Sequence, residues 1–188
     1  MYEVELKAKC SEGSFPLLSE YLADHGYVRI GSVRQEDDYY NHPARNFAES
    51  DEALRLRYLK PENGAAEAVI TYKGANHSDT GQSREELETH IEDPAVMRRI
   101  LERLGFVPVA PVYKTRTSYR KGGITICLDS VDGLGDYIEI EQICEETMRD
   151  EAQATIDAVL DELNFIRPVL EHRTYLELLL RKKGISRR

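Results

Sequence analysis

Five stretches of the chain carry charged side chains two residues apart. Glu3, Glu5 and Lys7 alternate with Val4 and Leu6, and Arg55 and Arg57 alternate with Leu54 and Leu56. Arg84, Glu86 and Glu88 share one phase, Lys114 and Arg116 another, and Glu139 and Glu141 flank Ile140. On a strand, spacing two sends each set to one face. A half-buried strand normally turns such a face to water, and any one of these sets alone reads as a solvated outer face. Solubility, however, does not call for an arginine doublet on one strand and glutamate doublets on others. If the strands close with this phase inward, carboxylates and cations share one lumen. Carboxylate clusters suit hard ions such as Mg²⁺ or Mn²⁺, and Lys and Arg suit phosphate oxygens. Both in one cavity describe a metal–polyphosphate site. A bound metal also inverts local charge, which lets an acidic protein hold an anion.

The elements that would position these residues can be read from hydrophobic period. Strand patterns run over about 2–9, 27–41, 53–60, 67–73, 83–91, 106–120, 123–130 and 136–143. Ser11 is a candidate N-cap for a helix with apolar Phe15, Leu18 and Leu22 that ends near Gly26. Asp93-Pro94 opens a helix at about 94–104 that closes at Gly105. The tail reads as two helices, about 147–163 and 168–182, split before Pro168. His42-Pro43 breaks a strand, 44–51 and 76–83 are polar loops, and Pro61-Glu62-Asn63-Gly64 is a turn. Gly122-Gly123 and Asp132-Gly133 mark hairpins. Short turns between strands favour antiparallel pairing, and eight strands can close into a barrel that suits one small ligand. The expected class is therefore α+β, an eight-stranded antiparallel β-barrel with flanking helices, as a single domain over 1–188.

Composition narrows the function. The 188 residues hold 25 Lys and Arg against 34 Asp and Glu, a net charge of −9. That argues against non-specific binding to nucleic acid or to an anionic membrane, which needs a positive field. No apolar run approaches the roughly 20 residues of a membrane span, and the N-terminal residues enter a strand pattern without a signal-peptide signature. Cys10, Cys127 and Cys144 fit neither a disulfide framework nor a zinc site, so a cytoplasmic setting is expected. His25, His42, His77, His90 and His172 have no mutual metal spacing, and no P-loop motif is present.

The ordered set of motifs resembles a known family. Glu3-Val4-Glu5-Leu6-Lys7 is similar to the E-x-E-x-K signature of the CYTH superfamily, the triphosphate tunnel metalloenzymes. Gln35 to Tyr40 resembles its Q-x-D-x-Y-[FY] segment, Leu54-Arg55-Leu56-Arg57 its L-R-x-R strand, and Thr71-Tyr72-Lys73-Gly74 its lysine strand. Arg84 to Glu88, Lys114-Thr115-Arg116, Asp129 to Gly135 and Glu139-Ile140-Glu141 continue the match over nearly the whole chain. The stretch from Tyr39 to Arg55, and Arg173 to Leu179 near the end, resemble the class IV adenylyl cyclase branch.

This resemblance implies a tunnel that holds a triphosphate with Mg²⁺ or Mn²⁺. It implies Glu3, Glu5, Asp129, Glu139 and Glu141 as metal ligands. Lys7, Arg55, Arg57, Lys73, Arg84, Lys114 and Arg116 become the phosphate clamp, with Glu86 and Glu88 as supporting acids. Lys73, Tyr39 and Arg116 are the catalytic candidates, because the family's hydrolases use a Lys–Tyr pair to activate water. The expected reaction is ATP to cAMP and pyrophosphate. The alternative is a triphosphatase acting on inorganic triphosphate, thiamine triphosphate or a nucleoside triphosphate, and a third reading is a non-catalytic polyphosphate or nucleotide binder. Outward Val, Leu and Ile on eight strands need more cover than the helices supply, and the branch resembles known dimers, so a homodimer is expected.

Overall fold

The computed structural model describes residues 2–75 and 82–184. The strands are β1 (Tyr2–Lys9), β2 (Val28–Asn41), β3 (Ala53–Pro61), β4 (Glu67–Lys73), β5 (Gln82–His90), β6 (Val107–Lys121), β7 (Ile124–Val131), β8 (Gly135–Cys144) and the two-residue β9 (Val169–Leu170). The helices are α1 (Ser14–Asp24), α2 (Phe47–Ser50), α3 (Pro94–Arg103), α4 (Arg149–Glu162) and α5 (Tyr175–Lys182). The strand order is β5-β4-β3-β2-β6-β7-β8-β1, and β1 pairs with β5 to close an eight-stranded antiparallel barrel. Of the polar loop expected over 76–83, residues 76–81 lie outside the described residues, His77 among them. No helix among the described residues is long and apolar enough to cross a membrane.

The barrel is built with its charged phase inward. Val4, Leu6 and Ala8 of β1, Ile126 and Leu128 of β7, and Ile138 and Ile140 of β8 face outward, yet all are buried. Leu18 and Leu22 of α1 and Ala152, Ile156 and Val159 of α4 cover them. Full burial of each such Leu or Ile is worth about 1.5–3 kcal/mol, so the apolar core lies between barrel and helices and the lumen is left for charge. On the opposite wall, Tyr40, Leu54 and Leu56 pack under Phe47 of α2 and Leu101 of α3.

Local signals explain most boundaries. The Asp93 side chain accepts from the Val96 N–H at 3.0 Å with Pro94 at the first helical position, and Gly105 follows the helix at φ 87°. Three expectations change. Ser11 does not cap α1: it accepts a turn bond from Ser14, Gly13 sits at φ 81°, and the helix starts at Ser14. The loop expected at 44–51 contains one helical turn, α2, capped by Asn46. The helix expected from 168 begins only at Tyr175, because Val169–Leu170 pairs with Lys9 and Ala8 of β1. The true start signal is Thr174-x-x-Glu177, a capping box in which each side chain takes the other's backbone N–H.

Candidate functional site

The strands deliver their inward charges to one cavity of about 390 Å³. Glu3, Glu5 and Lys7 come from β1, Arg55 and Arg57 from β3, and Lys73 from β4. Arg84, Glu86 and Glu88 come from β5, Lys114 and Arg116 from β6, and Glu139 and Glu141 from β8. Tyr39 and Asp37 reach it from β2. Register places Glu5 opposite Glu141, Lys7 opposite Glu139 and Arg116 opposite Asp129. Every residue expected at the site lines this cavity except Asp129, which lies behind the wall at 0% exposure.

The acids divide into two kinds. Glu3, Glu5 and Glu141 each bring a carboxylate oxygen within 4.8 Å of the others. Burial raises all three above the ordinary carboxylate range, Glu141 to about 7, and neighbouring glutamates add to the rise. Three hard oxygens under mutual repulsion are a donor set that fits Mg²⁺ or Mn²⁺.

Glu139, Asp37 and Asp129 instead answer cations. Glu139 pairs with Arg116; burial pushes it up, but Arg116 and Lys114 hold it well below the ordinary range. Asp37 accepts from Arg57 Nε at 2.6 Å and Nη2 at 2.8 Å, and this pairing outweighs burial and keeps its carboxyl low. Asp129 accepts from Lys114 Nζ at 2.6 Å and from Arg116 Nε and Nη2 at 2.7 and 2.6 Å. It is not part of the three-carboxylate cluster.

Arg116 spans both kinds, since its Nη1 also donates to Glu141 at 2.8 Å. Lys73 Nζ lies 3.0 Å from Glu3 and 2.7 Å from Glu86, and these acids outweigh burial to raise its pKa. Arg55 donates to Thr71 Oγ1 at 3.2 Å, and Thr71 in turn donates to Glu88 at 2.7 Å, which connects Glu88 to the clamp. Arg55 Nε is buried without a hydrogen-bond partner among the described residues. Such an orphan donor calls for an acceptor, and a phosphate oxygen would serve. Arg84 reaches the Asp51 carbonyl at 3.4 Å, which ties β5 to the loop after α2. Tyr39 is raised by burial, and no hydrogen bond among the described residues joins it to Lys73.

In this state the cations are largely held by acids. Neutralising the carboxylates would release Arg and Lys donors to a polyanion, so metal and phosphate binding are coupled by charge alone. Sequence reasoning missed Asp37, Thr71 and Tyr175. Asp37 shares the strand phase of Tyr39, and that alternation was its signal.

Comparison with known proteins agrees with this geometry. A family model described as the CYTH domain matches residues 1–175. A candidate adenylate cyclase of Methanocaldococcus jannaschii is 37% identical over 179 residues, covering 95% of this chain and 98% of that protein. The solved structure of a Pyrococcus horikoshii protein superposes with TM-score 0.87 at 39% identity, covering 96% of this chain and 99% of that one. A Hippeastrum protein described as an adenylyl cyclase candidate with a dominant triphosphatase activity shares the fold at TM-score 0.68 and 21% identity, with 98% and 97% covered. By the family model and the 37% identity across nearly its full length, the chain belongs to the CYTH-domain family.

Proposed function

We propose that the protein is a divalent-metal-dependent enzyme that processes triphosphates, and that its reaction is cyclisation of ATP to cAMP and pyrophosphate. The observation that supports this most is the meeting of seven cationic side chains with the Glu3, Glu5 and Glu141 cluster in one lumen. Those three glutamates would hold Mg²⁺ or Mn²⁺, which when bound supplies charge neutralisation at the reacting phosphate. Glu139 and Asp129, both paired with Arg116, serve the clamp as counter-ions.

In the cyclase reading the 3′-hydroxyl attacks the α-phosphorus, the bond from that phosphorus to the oxygen bridging it to the β-phosphate breaks, and the hydroxyl proton passes to water. Lys7, Lys114, Arg55 and Arg57 hold the departing pyrophosphate and stabilise its growing charge. Arg116 and Lys73 face the metal cluster and orient the α-phosphate. Phosphoryl transfer of this kind is mostly positioning and charge stabilisation, so a strong base is not required.

The second reading, triphosphate hydrolysis, also has support. The Hippeastrum protein of the same fold is described as having a dominant triphosphatase activity. Hydrolysis further requires an oriented water, for which Tyr39 and Lys73 are the candidate pair. No hydrogen bond among the described residues links Tyr39 to Lys73, and this missing link in the water-activating pair supports cyclisation. Product analysis with Mg²⁺ and with Mn²⁺ separates the two. Cyclic AMP with pyrophosphate from ATP supports the first. Orthophosphate from inorganic triphosphate, with no cyclic AMP from ATP, replaces it with the second.

A homodimer is part of the same reading. Val96, Ile100 and Leu104 recur along α3 and its C-terminal end and are exposed, as are Val107 and Val109 on the following strand. A second copy would cover such a face.

A further inference from the structure

One end of the tunnel is closed by the C-terminal segment rather than by strands. Val112, Val131 and Tyr137 continue the inward phase of Lys114, Asp129 and Glu139, and they pack against Leu176 and Leu180 of α5. Thr174 and Tyr175, at the start of α5, therefore line the inner end of the cavity.

Tyr175 touches the clamp in three ways. Its hydroxyl donates to Asp129 Oδ2 at 3.1 Å, the carboxylate that also receives Lys114 and Arg116. Its ring centroid lies 4.7 Å from Lys7 Nζ and 4.8 Å from Lys114 Nζ. Both lysine side chains are 3% exposed. The acids nearest Lys7 are Glu139 at 3.9 Å and Glu5 at 4.0 Å, beyond hydrogen-bond reach. A buried ammonium without a close acid is costly. An aromatic face compensates part of that cost by electrostatic attraction, and it does so without occupying an N–H donor.

We propose that Tyr175 is a positioning residue for the innermost phosphate of the substrate, an inference that rests on the triphosphate reading above. The ring bridges lysines from two different strands, β1 and β6, and fixes the separation of their ammonium groups. The hydroxyl holds the shared counter-ion in place. Lys7 thereby keeps its donors for a phosphate oxygen at the closed end of the tunnel.

The test is calorimetric titration of the protein with inorganic triphosphate in Mg²⁺, beside melting curves. Tyr175→Met fills similar space without a ring face or hydroxyl, and it should bind about tenfold more weakly or worse. Tyr175→Phe keeps the ring and should stay within about threefold of wild type. Leu180→Ala loosens α5 without touching a lysine, and it should lower the melting temperature while affinity stays within about twofold. Wild-type binding with Tyr175→Met unchanged overturns the proposal alone, and so does a Leu180→Ala loss equal to that of Tyr175→Met. A wild type that binds no triphosphate overturns the underlying reading. Should Tyr175→Met fail to fold, a ring-trifluorinated phenylalanine at this position keeps the shape and drains the ring face. It should bind several-fold more weakly than Tyr175→Phe, and equal affinity overturns the proposal.

Discussion

Asp37 offers a sharp test of how the lumen is held together, because among the described residues it is the one carboxylate paired with Arg57. The pair is bidentate at 2.6 and 2.8 Å, with Asp37 1% exposed and the Arg57 side chain 12% exposed. Asp37→Asn keeps the shape and removes the charge, which leaves a buried guanidinium under repulsion from Arg116 without its counter-ion. Breaking one side of a buried pair costs about 3–5 kcal/mol. For a chain of this size that lowers the melting temperature by roughly 10 °C. The sign with pH follows from the lowered carboxyl of Asp37. Its stabilisation is fully present above the unfolded value of 3.8 and is lost as pH falls through the folded value. Urea denaturation should give the full gap between wild type and variant at pH 7, and a gap about 1 kcal/mol narrower at pH 3. A gap under about 1 kcal/mol at pH 7, the size of an exposed pair, would refute the reasoning. So would a gap that does not change with pH.

Removing a metal-cluster carboxylate should act in the opposite direction. Glu5→Gln and Glu141→Gln should abolish turnover while the metal-free melting temperature at pH 8 holds or rises, since burial and like charge oppose both ionised groups; a large fall in melting temperature would contradict this. Tyr39→Phe should leave most cyclic AMP output intact, whereas a loss of orders of magnitude in turnover would point to a Tyr-dependent hydrolase. Light scattering at micromolar concentration should give a dimer mass, and a monomer mass would remove the α3 face from the account.

Much of this arrangement is legible in the sequence because a strand's period is two. Once Val4, Leu6, Ile138 and Ile140 are recognised as the covered face, Glu3, Glu5, Glu139 and Glu141 must turn to the other side. Phase gives direction but not partners. Asp129 has the same phase as the glutamates, yet register sets it opposite Arg116, and Lys114 also reaches it. Only the folded distances separate an acid that meets other acids from one that meets cations. Asp37 stands at the Asp position of the Gln35 to Tyr40 segment, but neither motif nor phase shows that its partner is Arg57. The tail was misread because Pro168 is also a favourable first residue of a helix. The capping box at Thr174 and Glu177 was visible, and it marks the helix start that brings Tyr175 to the tunnel floor.

The central claim is that the inward charges form a metal–triphosphate site, and diffraction from crystals grown with Mn²⁺ and inorganic triphosphate tests it most directly. The account predicts anomalous density at bonding distance from the Glu3, Glu5 and Glu141 carboxylates, with the triphosphate running inward past Arg116 and Arg57 toward Lys7 and Lys114. Anomalous density on the outer surface with a lumen empty of both ligands, under conditions where the protein turns triphosphate over, would contradict it.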